Sequence, residues 1–159
     1  MGIALFVYLL LLGGWLGAMV FFSFFTAPAL FARLEVREAG LVVAMLFPRY
    51  YVIGYVCGAG SLALAIAFAW RRLTPAQTLW WAAVAALAAA LAVTLYAGLS
   101  LRPRIEELRG ATGGAISAAT QTKQAFARLH RLSVALNGSV LLLDLLALAA
   151  SAGALARRG

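Results

Sequence analysis

Four polar side chains in the last apolar stretch have the types and spacing that could support chemistry. His130, Ser133, Asn137 and Asp144 follow one another at intervals of three, four and seven positions, which places them on one stripe of an α-helix. Ionisable and amide side chains are costly inside a membrane, so they face the interior of a helix bundle or a wet cavity. The sequence therefore predicts a polar stripe directed at neighbouring helices.

Asp144 stands out because it is an acid near the middle of an apolar stretch. Three explanations remain open at this point. The carboxyl group is protonated and hydrogen-bonded to a hydroxyl such as that of Ser61, Thr94 or Tyr96, or it relays protons or cations, or it pairs between subunits.

The stripe does not form a catalytic constellation. His130 and Asp144 lie about 21 Å apart along a helix, too far to act together on a serine. A metalloenzyme needs about three protein ligands, and one histidine with one cysteine falls short. We therefore expect no catalytic residues and no enzyme activity.

Soft ligands suggest a metal-handling alternative. Met19, Met45, Cys57 and His130 are weak candidate metal ligands, although ordinary packing also scatters sulfur atoms through apolar helices. A haem held by His130 and by Met19 or Met45 is the cofactor alternative. A lone histidine at the start of a helix is more often an interfacial hydrogen-bonding residue, so no cofactor is predicted.

The composition defines the class of protein that carries these residues. The 159 residues are 65% hydrophobic and 11% charged, with a net charge of +8. A soluble domain of this size cannot hide so much apolar surface, so the lipid bilayer is the predicted partner. The arginines cluster at the ends of apolar runs, which suits lipid headgroups and leaves no basic face for nucleic acid. The single cysteine excludes an intrachain disulfide.

Four stretches are long enough to cross a membrane, which predicts one all-α integral membrane domain over 1–159, a bundle of four transmembrane helices. The predicted spans are approximately 3–32, 51–70, 79–101 and 132–156. Loops 1 and 3 are expected to contain interfacial helical segments. Residues 40–47 are too short to cross, so we expect them to lie in the interface or re-enter shallowly and to end at Pro48. Pro28 is the predicted kink of the first span, and from Ser117 one helix is expected to run unbroken into the fourth.

The connectivity places the end of the first span and the beginning of the fourth span on the same side of the membrane. One leaflet is therefore predicted to hold a candidate polar site, which Asp144 continues at greater depth: Thr26, Pro28, Tyr50, Tyr51, His130, Ser133 and Asn137. Two small-xxx-small spacings predict close helix packing, within the bundle or in a homo-oligomer: Gly13 with Gly17, and Gly54 with Gly58.

Lysine and arginine are more numerous in loops 1 and 3 than at the opposite ends of the spans. The positive-inside rule then predicts a cell (inner) membrane protein with these loops in the cytoplasm and both termini outside.

Several of these residues carry a family resemblance. The segments 26–31 (TAPALF), 46–51 (LFPRYY) and 129–133 (LHRLS), with Ala39-Gly40 and Asn137, resemble the pattern of the transmembrane protein 205-like family. The resemblance implies four helices and the handling of small molecules or metal compounds, because an animal member is associated with cisplatin resistance. It supplies no catalytic mechanism.

Three functions are therefore carried forward. The first is the handling or transport of a small molecule or metal compound at a polar site between the first, second and fourth helices. The second is an accessory subunit of a larger membrane complex. The third is a haem-binding redox protein.

Overall fold

The computed structural model describes residues 2–70, 77–110 and 116–157, and in these ranges it contains helices and no strand. In chain order the elements are α1 (Gly2–Val20), a π-helical turn (Phe21–Thr26), α2 (Ala27–Arg33), α3 (Val36–Trp70), α4 (Gln77–Tyr96), a second π-helical turn (Ala97–Leu101), α5 (Arg102–Gly110) and α6 (Ile116–Ala156).

These elements form four helical units that are long and apolar enough to cross a membrane, Gly2–Arg33, Glu38–Trp70, Gln77–Glu107 and Ala127–Ala156. The prediction of an all-α protein with four such helices is confirmed. Large apolar side chains such as Phe6, Leu10 and Phe24 are exposed on the outside of the bundle. A surface of this kind suits lipid rather than water, so the fold is that of a multi-pass membrane protein.

The four units pack as neighbours in a way that follows the connectivity. Helix α4 packs against both α3 and α6, and α1 packs mainly against α3. Residues 71–76, between α3 and α4, and residues 111–115, between α5 and α6, lie outside the described residues. The prediction of one long fourth helix is confirmed, because α6 runs for 41 residues.

A π-helical turn precedes two of the prolines. The first turn ends two residues before Pro28, and the second ends two residues before Pro103. The residue that follows each turn donates its backbone N–H to the carbonyl five residues earlier. Ala27 donates to Phe22, and Arg102 donates to Ala97. Proline lacks an N–H and its ring crowds the carbonyl four residues before it. The wider turn relieves this crowding, so the distortion expected at Pro28 takes the form of a π-helical turn.

The prediction that residues 40–47 form a separate segment ending at Pro48 is wrong. They belong to the first turns of α3, which is continuous from Val36 to Trp70 with Pro48 inside it. Pro48 leaves the carbonyl of Ala44 without its helical donor. Ala44 lines a small cavity together with Arg102 and Ser133, so polar groups lie around the turn that the proline disrupts.

An aromatic core closes the end of the bundle that lies opposite loops 1 and 3. The rings of Tyr8, Phe68 and Trp80 contact one another with centroids 4.9–5.9 Å apart. The hydroxyl groups of Tyr8 and Ser151 lie 2.6 Å apart, and Ser151 Oγ donates to the carbonyl of Ala147 at 2.7 Å. Since a serine hydroxyl carries one hydrogen, Tyr8 is the donor to Ser151.

The two predicted glycine pairs lie in different surroundings. Gly54 and Gly58 face Trp15, which is only 2% exposed, and a Cβ at Gly58 would meet the Trp15 ring at 2.8 Å. Gly13 and Gly17 lie on the exposed side of α1, where a Cβ would have no other atom within 4 Å. The first pair makes room for Trp15 inside the bundle, and the second faces outward.

Candidate functional site

The inward face of α6 becomes progressively more buried along its length. His130 is exposed, Ser133 and Asn137 are half-buried, and Val140 and Asp144 are buried. The stripe continues at intervals of three and four through the buried residues Ala147, Ser151 and Ala154, which is the pattern of a helix packed along one face. The bundle is therefore open along the first part of the stripe and closed along the rest.

The open part forms a cavity of about 520 Å³ between the first, second and fourth helical units. Small-molecule sites commonly have volumes of about 300–1,000 Å³. The cavity combines apolar walls with a minority of polar groups. Its lining residues are Phe22, Ser23, Ala27, Pro28, Phe31, Gly40, Val43, Phe47, Tyr50, Tyr51, His130, Ser133, Val134 and Asn137.

The amide of Asn137 connects the three helical units that form the cavity. Its Oδ1 accepts a hydrogen bond from the hydroxyl of Tyr50 on α3. Its Nδ2 donates to Oγ of Ser23 in the first π-helical turn at 2.9 Å. An amide held at both of its polar atoms has a defined orientation, so this triad is a fixed polar point in an apolar wall.

Aromatic rings surround that polar point. Phe22 lies 5.0 Å from Tyr50 and 5.4 Å from Phe47, measured between ring centroids. Phe47 in turn contacts Tyr51 at 5.9 Å, and Tyr50 contacts Tyr51 at 5.6 Å. These separations are typical of favourable aromatic pairs. The four rings form a continuous wall, which we call the aromatic wall.

Ser23 was not among the predicted site residues, although the sequence contains a signal for it. Tyr8, Leu12, Trp15 and Met19 are all buried, and they follow one another at intervals of four, three and four. Four more positions lead to Ser23, so the inward face of α1 points to it.

The structure brings most of the predicted polar site together. Six predicted residues line the cavity, namely Pro28, Tyr50, Tyr51, His130, Ser133 and Asn137. Thr26 is the last residue of the first π-helical turn, next to the lining residue Ala27, but it is not itself part of the lining. Asp144 lies two helical turns deeper than Asn137, beyond the cavity.

A second, much smaller cavity lies next to the first and reaches deeper into the bundle. Its volume is about 20 Å³, room for about one water molecule. Tyr50, Tyr51, Ser133 and Asn137 line both cavities, and the small one ends at Trp15, Met19 and Val140. Val140 is 4% exposed, so the polar stripe is interrupted by apolar packing between Asn137 and Asp144.

Asp144 is enclosed by this packing. The side chain is 0% exposed, and neither carboxyl oxygen has a hydrogen-bond partner among the described residues. The hydroxyl groups considered as its partners do not bond to it. Thr94 donates to the carbonyl of Ala90 at 2.8 Å, Tyr96 is exposed, and the buried Ser61 Oγ likewise has no partner in the described part of the chain.

The weak metal and haem candidates do not share one cavity. His130 lines the large cavity, Met19 lines the small one, and Met45 is 64% exposed on the outside of the bundle. Cys57 lies on α3, one turn beyond Gly54, and lines neither cavity. Among the described residues no three histidine, cysteine, aspartate or glutamate side chains are grouped as metal ligands. His130 and the two methionines therefore line no common cavity among the described residues.

Comparison with known proteins gives a family without an assigned activity. A family model described as "Domain of unknown function (DUF4149)" matches residues 10–114, about two thirds of the chain. The chain belongs to that family. A relative named "Uncharacterized protein", from Aquifex aeolicus (strain VF5), is 46% identical over 56 residues, which are 35% of this chain and 42% of the relative. The chain thus spans less than half the length of this relative. No solved structure matches the chain.

The family match divides the candidate site. It includes Ser23, Pro28, Tyr50 and the aromatic wall, but it ends before α6. The half of the cavity contributed by His130, Ser133 and Asn137 lies outside the matched residues. The family assignment therefore bears on the walls of the cavity more than on the amide that joins them.

Proposed function

We propose that the protein binds a small, mostly apolar molecule in the cavity between the first, second and fourth helical units. The observation that carries this proposal is the fixed Tyr50–Asn137–Ser23 triad set in the apolar lining of a cavity of about 520 Å³. Binding sites for small molecules have this character, because apolar walls supply affinity while a few oriented polar groups supply specificity.

The cavity supports binding at one side of the membrane rather than permeation through one protomer. Permeation needs a continuous path, and the buried side chains of Val140 and Trp15 lie at the deep end of the small cavity. The proposed handling is therefore capture or transfer of the molecule within the leaflet next to loops 1 and 3. No catalytic step and no cofactor are proposed.

The proposal also includes the membrane in which the protein lies and its relation to a wider family. The excess of arginine in loops 1 and 3 supports a bacterial inner-membrane location with these loops in the cytoplasm. The resemblance of residues 26–31, 46–51 and 129–133 to the transmembrane protein 205-like family supports kinship with that family and the handling of a small molecule. The charge distribution supports uptake of that molecule from the cytoplasmic leaflet.

The proposal can be tested by filling the cavity. Ala27 lines it, so Ala27→Leu should occupy its space without entering a packed core. The probe is 3-phenyl-3-(trifluoromethyl)diazirine, a small apolar molecule that labels nearby side chains on irradiation. In wild-type protein in lipid nanodiscs we expect labelling of the aromatic wall, detected by peptide mass spectrometry. Ala27→Leu should lower that labelling at least fivefold.

The matched control is Ala89→Leu, the same enlargement on the exposed face of α4. It should leave labelling of the aromatic wall unchanged, while lipid-facing residues such as Phe6 are labelled equally in all three proteins. If the aromatic wall is labelled no more than the lipid-facing residues, or equally in Ala27→Leu, the cavity does not bind the probe and the proposal fails.

A second candidate function, an accessory subunit, is favoured by Gly13 and Gly17. They form an exposed small-residue face on α1 with open space around both positions, which is the surface on which another membrane helix packs closely. If this function holds, a stoichiometric partner should co-purify without crosslinker, and Gly13→Leu should release it. Purification as a solitary chain from the native membrane would contradict the accessory role.

A further inference from the structure

The polar groups that line the cavity differ in kind from those that hold cations. None of the described residues in the lining is aspartate or glutamate. A cation placed among these residues would have no charged partner inside an environment of low dielectric, which is costly. The described lining also contains no lysine or arginine, so the same cost applies to an anion.

The same groups are well placed to donate hydrogen bonds. The Asn137 amide has two N–H groups, of which one bonds to Ser23, and its oxygen accepts from Tyr50. Ser23 accepts from Asn137, and its own hydroxyl hydrogen has no partner among the described residues. The triad therefore keeps one N–H and one O–H that have no acceptor among the described residues, and both belong to residues that line the cavity.

The walls set the character of the rest of the ligand. The aromatic wall and the side chains of Phe31, Val43 and Val134 surround the triad with apolar surface. His130 lies at the shallow end of the cavity, about 10 Å from Asn137 along α6. A ligand that fills this length presents an apolar body to the rings and one polar atom to the triad.

We propose that the ligand is a neutral, lipid-soluble molecule with a carbonyl oxygen, which accepts hydrogen bonds from Asn137 and Ser23 while its apolar part lies against the aromatic wall. This inference rests on the proposed function, since it names the class of molecule that the same cavity binds. Charged molecules, including metal complexes with a net positive charge, are expected to bind more weakly.

Four probes of similar chain length separate the elements of this proposal. They are decyl-1,4-benzoquinone (a neutral carbonyl compound), laurate (a carboxylate), dodecyltrimethylammonium (a cation) and dodecane (no polar atom). Binding to the purified full chain in nanodiscs is measured by isothermal titration calorimetry, with empty nanodiscs subtracted. The quinone should bind at least tenfold more tightly than laurate, the cation and dodecane, because neither ion finds an ionic partner in the described lining and dodecane has no polar atom.

Two variants locate the interaction. Asn137→Leu should lower the affinity for the preferred oxygen-bearing probe at least tenfold and leave the affinity for dodecane unchanged. Ser23→Ala, a smaller change that keeps the Tyr50–Asn137 bond, should lower it about threefold to tenfold and guards against misfolding of the first variant. The matched control is Ser139→Ala, because Ser139 lies on the exposed face of α6 and donates to the carbonyl of Ala135 in its own helix.

The outcomes separate this inference from the proposed function. If all four probes bind equally and Ala27→Leu abolishes their binding, the cavity binds small molecules and the hydrogen-bonding inference is overturned. Preferential binding of the cation or of laurate also overturns it. If none of the probes binds above the empty-nanodisc background, the proposed function and this inference fail together.

Discussion

The two halves of α6 place polar groups in opposite circumstances. At Asn137 the amide is half-buried, bonds to Tyr50 and Ser23, and borders a large cavity. Two turns deeper, Asp144 is fully buried and its carboxyl oxygens have no partner among the described residues. The same helical stripe thus contains a satisfied polar group beside open space and an unsatisfied one inside packed core.

The difference distinguishes polar groups that stabilise the fold from polar groups that destabilise it. Removing a polar group that has partners leaves those partners unpaired, whereas replacing one that lacks partners costs little or stabilises the protein. The Asn137 triad therefore belongs to the architecture of the cavity. Asp144 costs folding energy in this conformation, which makes it the residue in the bundle least explained by stability.

The largest expected effects on stability come from replacing Asn137 and, in a separate variant, Asp144 with leucine. Asn137→Leu should lower the free energy of unfolding by about 1–3 kcal/mol, because it leaves the Tyr50 and Ser23 hydroxyl groups without their partner. Asp144→Leu keeps the branching of the side chain and should raise it by about 1–3 kcal/mol, because it removes a buried group that lacks hydrogen bonds. Thermal unfolding in detergent micelles, followed by circular dichroism, measures both.

These two variants test the comparison between Asn137 and Asp144 directly. A loss of stability in Asp144→Leu equal to that of Asn137→Leu would mean that Asp144 has partners in the membrane, such as water or a neighbouring subunit. A stabilised Asp144→Leu that has lost its biological activity would instead assign the acid to function, since evolution retains a destabilising group at functional sites.

The sequence was sufficient for the parts of the fold that depend on hydrophobic length and period. Four apolar stretches predicted four helices, and the intervals within α6 predicted that Ser133 and Asn137 would face the bundle. The meeting of these residues with Pro28 and Tyr50 followed from connectivity alone, because two helices that reach the same side of a membrane can share a site.

The remaining features depend on packing, which a local pattern does not contain. Pro48 suggested a boundary, yet the helix continues through it. Gly13–Gly17 and Gly54–Gly58 have the same spacing, but only the second pair faces Trp15. That Asp144 has no hydrogen-bond partner among the described residues was unpredictable for the same reason, since intervals along α6 give its direction and not what lies opposite.

The smallest expected effect concerns two serines that are both 0% exposed. Ser151 accepts a hydrogen bond from Tyr8 and donates to Ala147, so Ser151→Ala leaves the buried Tyr8 hydroxyl without its partner. Hydrogen bonds between membrane helices contribute about 0.6–1.7 kcal/mol, and we expect a loss of stability of that size.

Ser61 Oγ has no partner among the described residues, so Ser61→Ala should leave the unfolding temperature unchanged or raise it slightly. The two variants remove the same atom at equal burial, and only the hydrogen bonds differ between them. Equal losses would show that Ser61 is also satisfied, and would place a polar partner, such as a water molecule, next to its hydroxyl group.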